Sequence, residues 1–106
     1  MKAKTRKFDD YLKGYLKDPE DARAFLEEVA EANDPEVFLH ALKAVVAAQG
    51  GVGKVSAKAH MNRQNLYRML GKGGNPEFKS LWSLLKTLGL KMSLVPEMPR
   101  AAGKAA

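Results

Sequence analysis

The chain has 106 residues and no cysteine, a length that fits one domain with a modest core. Without cysteine it can form neither a disulfide framework nor a thiolate metal site. No apolar run is long enough to span a membrane, and the first residues lack the pattern of a signal peptide. We therefore expect a cytoplasmic protein.

The net charge of +6 is unevenly distributed along the chain. Residues 1–36 carry 7 basic and 10 acidic side chains, whereas residues 37–96 carry 9 basic side chains and one acidic one, Glu77. A basic segment of this length is typical of nucleic-acid-binding proteins. The acidic first third suggests a second surface with a different partner, although charge alone can also serve solubility.

The first residues predict a tail and a short helix. Residues 1–7 are polar and basic, and we expect a flexible arm. In residues 8–16, apolar side chains recur at helical spacing, but Gly14 weakens the helix prediction.

Three later segments share one helix-start pattern. Each places a capping side chain before proline and glutamate: Asp18-Pro19-Glu20, Asp34-Pro35-Glu36 and Asn75-Pro76-Glu77. Proline suits the first helical position, and the helix dipole favours glutamate in the first turn. The pattern predicts helices from residue 19 to about 32, from 35 to about 48 and from 76 or 77 to 88, with Phe78 on the inward face of the third.

Residues 53–70 predict two short helices joined by a tight corner. Apolar residues four apart give each helix a buried face, and Asn62 is placed to cap the second helix. The outward positions of that helix carry Arg63, Gln64, Tyr67 and Arg68, none of which is acidic. Such side chains can bond to base edges or phosphates. The segment therefore predicts a helix-turn-helix whose second helix reads DNA, with a plain helical hairpin as the alternative.

The residues after the helix-turn-helix predict a loop, a last helix and a strand. Four residues, Gly71-Lys72-Gly73-Gly74, form the loop, and residues 91–95 alternate polar and apolar side chains before Pro96. A lone strand needs a partner, so we expect pairing with a second copy in a homodimer. Residues 97–106 predict a disordered tail.

Other chemistry finds little support in the sequence. The segment Gly51-Val52-Gly53-Lys54 fails as a phosphate-binding loop because Ala48 and Val55 occupy positions that require glycine and a hydroxyl residue. His40 and His60 have no neighbouring ligands for zinc. No nucleophile–base pair can be proposed, so we predict no metal, no cofactor, no catalytic residues and no enzymatic activity.

The chain resembles the addiction-module antidote proteins, small antitoxins related to HigA in the Xre-like helix-turn-helix group. Residues 53–70, followed by Gly-Lys-Gly-Gly-Asn-Pro and Leu-Leu-Lys-Thr-Leu-Gly-Leu-Lys-Met-Ser-Leu, carry the resemblance, which covers roughly residues 8–96. There are two departures: His60 stands where the corner often has glycine, and Ser56 stands where a small alanine is expected. Histidine does visit positive φ, and serine is small enough to pack.

The resemblance implies a type II antitoxin that neutralises a RelE/ParE-like toxin and represses its own operon by binding double-stranded operator DNA. It does not locate the toxin-binding surface. The expected fold is an all-α bundle of about five helices, a single domain over residues 8–96. The expected base-reading residues are Asn62, Arg63, Gln64 and Tyr67, and the expected phosphate contacts are Lys54, Lys58, Arg68 and Lys72.

Two other functions remain open at this point. A stand-alone phage-type repressor would use the same DNA chemistry. A toxin-binding module that no longer reads DNA would use an acidic helix carrying Glu20, Asp21, Glu27, Glu28 and Glu31.

Overall fold

A computed structural model describes residues 14–97 of the chain, and five α-helices lie within them. They are α1 (Pro19–Ala30), α2 (Pro35–Ala48), α3 (Gly51–Lys58), α4 (Arg63–Leu70) and α5 (Phe78–Thr87). The predicted all-α bundle is confirmed. The expected arm, most of the helix predicted at residues 8–16 and the tail after residue 97 lie outside the described residues. Residues 14 and 15 are helical, and Leu16 is buried.

Two of the three predicted caps are present. The Asp18 carboxylate accepts a hydrogen bond from the Glu20 N–H at 2.8 Å, and the Asp34 carboxylate accepts one from the Glu36 N–H at 3.0 Å. Each bond satisfies a backbone donor that has no partner inside the helix. The start of α1 and both ends of α2 are therefore where the sequence places them, and α1 ends two residues early, at Ala30.

The third predicted start was wrong. Helix α5 begins at Phe78, its N-cap is Glu77, and no side chain caps it. The first helical bond runs from the Leu81 N–H to the Glu77 carbonyl at 3.0 Å. Residues 74–77 connect the glycine-rich loop to α5 and have no regular structure.

Helix α2 lies at the centre of the bundle, and it packs against α1, α3 and α4. Leu42 and Val45 of α2 are fully buried with Val55 of α3 and Leu66 of α4. A side-chain hydrogen bond at 3.1 Å from the Gln49 amide to the Leu88 carbonyl ties α2 to the end of α5. The core therefore fixes α3 and α4 through α2.

Phe78 was expected to face inward, but 63% of its surface is exposed. It is the first residue of α5, about one turn before Leu81 and nearly two turns before Leu84, which pack in the core. Its ring instead packs on the exposed Trp82 ring, with 5.6 Å between the ring centroids.

Residues 90–97 contain no assigned helix or strand, and Leu94 and Val95 are 90% and 82% exposed. The strand expected at residues 91–95 would pair with a second copy, so it stays a prediction. Among the described helices, none is long and apolar enough to cross a membrane.

Candidate nucleic-acid interface

The corner between α3 and α4 is closed by backbone hydrogen bonds. His60 has a φ of 55°, and its N–H donates to the Ala57 carbonyl at 3.2 Å. The Met61 N–H donates to the Ser56 carbonyl at 2.9 Å. Together these bonds form a Schellman motif, which ends a helix with one left-handed residue. His60 therefore ends α3 in the left-handed conformation, which glycine more often adopts at this position.

The fold also accommodates Ser56, which stands where alanine is expected. Ser56 is buried, and its hydroxyl donates to the Gly53 carbonyl at 3.1 Å. This bond within α3 satisfies the buried polar group, so serine packs where alanine is expected.

Helix α4 has the predicted cap and the predicted two faces. The Asn62 side-chain oxygen accepts from the N–H groups of Gln64 at 2.7 Å and Asn65 at 3.2 Å. One face of α4, made of Leu66, Met69 and Leu70, is buried. The residues on the other face are all exposed: Arg63, Gln64, Tyr67 and Arg68.

The cap restricts what Asn62 can offer to a base. An asparagine that pairs with adenine uses its oxygen as acceptor and its NH₂ group as donor. In this structure the oxygen already accepts two backbone hydrogen bonds. Asn62 retains donors only, so the groups with full bonding capacity on this face belong to Arg63, Gln64 and Tyr67.

The Arg63 side chain lies against the first turn of α3. A Cβ built at Gly53 would be 2.7 Å from the Arg63 Nη2 atom. No side chain caps the N-terminus of α3. The Arg63 guanidinium and the N-terminal end of α3 therefore present positive charge on the same side of the corner.

At the other end of α4, Arg68 is positioned by a neighbour that sequence reasoning missed. Its Nη2 atom donates to the Asn65 side-chain oxygen at 3.3 Å. The i, i+3 spacing of the two residues on a helix was the available signal. Arg68, Lys72 and Glu77 line an open cavity of about 460 Å³. Glu77 therefore offsets part of the positive charge there.

The remaining lysines lie around the corner rather than in one cluster. Lys58 is exposed in the last turn of α3. Lys54 folds over Gly50, where a Cβ would be 2.5 Å from its Cδ atom, and lines a cavity with Lys17. Lys72 lines one cavity together with Arg68 and a second cavity together with Lys43 of α2.

Metal ligands do not cluster in residues 14–97: no three His, Asp or Glu side chains come together there as a metal ion requires. His40 is exposed on α2.

Two short helices, a tight closed corner and a capped second helix with a polar exposed face fit a helix-turn-helix. The chain matches the family described as "probable addiction module antidote protein" over residues 4–96. It belongs to that family.

A relative in Haemophilus influenzae, described as an uncharacterized protein, is 26% identical over 80 residues. The alignment covers 76% of this chain and 81% of the relative. No solved structure matches the chain.

Proposed function

We propose that the protein is the antitoxin of a type II toxin–antitoxin module in the cytoplasm. It binds its cognate toxin, of the RelE/ParE-like class, and represses its own operon by binding operator DNA. The observation that carries the DNA-binding part is the exposed face of α4, which presents two arginines, a glutamine and a tyrosine and no acid. Membership of the antidote family supports the antitoxin part.

In this proposal α4 enters the major groove with its N-terminal end toward the bases. Arg63 and Gln64 are at that end, and they have the donors and acceptors that recognise guanine and adenine. Tyr67 is 57% exposed one turn later, where its ring can contact a thymine methyl group. Asn62 adds a donor.

Phosphate contacts are assigned to the cations around this face: Lys54, Lys58, Arg68 and Lys72. Such contacts supply affinity and orientation without sequence preference. Asn65 holds Arg68 in place through the 3.3 Å hydrogen bond.

The protein acts as a homodimer in this proposal. Two reading helices on an inverted repeat would occupy major grooves about 34 Å apart. A strand at residues 91–95 pairs with its copy across the two-fold axis in this proposal, because a lone strand leaves its backbone N–H and C=O groups unpaired.

Alanine variants at three positions test the DNA-binding role. Arg63→Ala should lower affinity for the operator far more than affinity for random DNA, since a base contact carries specificity. Lys58→Ala should weaken binding to every sequence and reduce the salt dependence. Lys86→Ala, on the exposed face of α5, serves as the matched control. Equal losses on operator and random DNA for both Arg63→Ala and Lys58→Ala would contradict the assignment.

A toxin-binding module without DNA reading is the second candidate, and the acidic exposed face of α1 favours it. Helix α1 and its C-cap carry five acids against the single cation Arg23. If purified protein binds the toxin but binds operator and random DNA equally weakly, this second function replaces the first.

A further inference from the structure

A basic cavity opens beside the start of α3. It has a volume of about 520 Å³, and two exposed lysines, Lys17 and Lys54, line it. Among residues 14–97, which the structure describes, no acidic side chain lines this cavity. Its other polar side chain, Gln49, donates its amide N–H to the Leu88 carbonyl at 3.1 Å. The cavity therefore presents two cations whose charge no lining acid offsets.

The surrounding structure holds both lysines in place. Lys17 lies in the turn before α1, directly after Leu16, which is fully buried. The acid next to it, Asp18, uses its carboxylate to cap the start of α1 at 2.8 Å. On the other wall the Lys54 side chain packs over Gly50, where a Cβ would be 2.5 Å from the lysine Cδ atom. The packing of Leu16 and the space left by Gly50 therefore position the two cations at one cavity.

The cavity lies on the same side of the corner as the N-terminal end of α4. The Arg63 guanidinium lies against Gly53, and Lys54 is the next residue in the same turn of α3. Two further cations, Arg68 and Lys72, line a different cavity beyond the C-terminal half of α4. A helix in the major groove has a phosphate backbone on each side of it. Cations near both ends of α4 are therefore placed to contact different phosphates.

We propose that Lys17 and Lys54 together bind one backbone phosphate of the operator, beside the N-terminal end of α4. The two ammonium groups donate charge-assisted hydrogen bonds to its oxygens. Lys72 contacts a different phosphate. This inference rests on the proposed DNA-binding function, and it adds Lys17, a residue outside the helix-turn-helix, to the DNA contacts. The turn before α1 is then part of the DNA-binding surface.

The test combines protein variants with changes to single phosphates. Operator duplexes are made in which one phosphate at a time is replaced by a neutral methylphosphonate. The purified full-length wild type, Lys17→Ala, Lys54→Ala and Lys72→Ala are titrated onto each duplex, and onto the unmodified operator at several salt concentrations. Lys86→Ala, on the exposed face of α5, removes the same charge and is the control. Circular dichroism checks that every variant keeps its helical content.

We expect one methylphosphonate position beside each half-site to weaken binding of the wild type but not of Lys17→Ala or Lys54→Ala, because these variants have already lost that contact. Lys72→Ala should remain sensitive at that position. On unmodified operator, Lys17→Ala should reduce the slope of log affinity against log salt by about 0.9 for each bound subunit. Lys86→Ala should keep the slope of the wild type.

Three outcomes overturn the inference. If Lys17→Ala keeps both the salt slope and the phosphate sensitivity of the wild type, Lys17 does not contact DNA, while selective operator binding by the wild type keeps the proposed function. If Lys86→Ala loses as much slope as Lys17→Ala, the effect is one of net charge. If Lys17→Ala and Lys54→Ala become insensitive at different positions, the two lysines do not share a phosphate. By contrast, a wild-type protein that binds operator and scrambled DNA equally weakly contradicts the proposed function itself.

Discussion

The guanidinium of Arg63 lies against the Cα atom of Gly53, with only 2.7 Å between its Nη2 atom and the place a Cβ would occupy. The first residue of α4 therefore rests on the first turn of α3, across the corner of the helix-turn-helix. Because glycine leaves this space open, the exposed side chain proposed to read a base can pack against the backbone of α3.

The contact predicts that Gly53→Ala separates stability from DNA binding. Alanine favours a helix over glycine by up to about 1 kcal/mol, and the guanidinium can move aside at little cost. The free energy of unfolding should therefore stay equal or rise, while operator affinity falls because Arg63 is displaced. Denaturant unfolding and gel shifts measure the two effects.

The control for Gly53→Ala is the same substitution in an Arg63→Ala background. There it should not weaken operator binding further, since the contact is already gone. A further loss of operator affinity in that background would show that Gly53 acts independently of Arg63.

The Asn62 cap predicts that two substitutions at this position affect stability and operator binding differently. Asn62→Ala removes the acceptor for two N–H groups and should lower the free energy of unfolding by about 1 kcal/mol. Asn62→Asp keeps the acceptor and adds a charge that the helix N-terminus favours, so stability should be preserved. Operator binding should nevertheless fall for Asn62→Asp, because the new carboxylate faces DNA phosphates. Unchanged operator affinity for Asn62→Asp would place the N-terminal end of α4 away from the DNA.

Gly74, in the loop after α4, occupies a position where only glycine fits. A Cβ at Gly74 would lie 2.2 Å from the Met69 carbonyl oxygen, a backbone atom that cannot move without disturbing α4. Gly74→Ala should lower the free energy of unfolding by about 1–3 kcal/mol. Gly14→Ala is the control, because a Cβ there meets no atom within 4 Å. Equal thermal stability of the two variants would contradict the loop geometry.

The ion pairs of α1 predict a pH effect. The hydrogen bond and the charge of Arg23 hold the pKa of the Glu20 carboxyl below its usual value of 4.5. A carboxyl whose pKa is lower in the folded state stabilises the fold above its unfolded pKa, and this contribution is lost as the pH falls through the lowered folded pKa. NMR titration of Glu20 should show that lowered pKa, and Arg23→Gln should return it toward 4.5. If Arg23→Gln left the pKa of Glu20 unchanged, that result would contradict the ion pair between Glu20 and Arg23.

Local chemistry explains which parts of the fold were predictable from the sequence. Asp18, Asp34 and Asn62 cap helices because an acceptor two or three residues before a free N–H suffices, and this spacing is visible in the sequence. Asn75 has the same pattern but does not cap. Its neighbours are constrained by the packing of Gly74 on α4, which involves residues that the motif does not contain.

The candidate site shows the same division. The exposed face of α4 follows from helical periodicity, which places Arg63, Gln64, Tyr67 and Arg68 opposite the buried residues. The contact of Arg63 with Gly53 depends on how α3 and α4 cross, and that crossing leaves no pattern along the chain.

The central claim is that the α4 face reads operator DNA, and a salt-titrated gel shift tests it most directly. Purified protein is titrated onto its own upstream region and onto scrambled DNA of equal length. The account predicts tight binding selective for the upstream region, with an affinity that falls steeply as salt rises, because phosphate contacts release counterions. Equal, weak binding to both DNAs would contradict it.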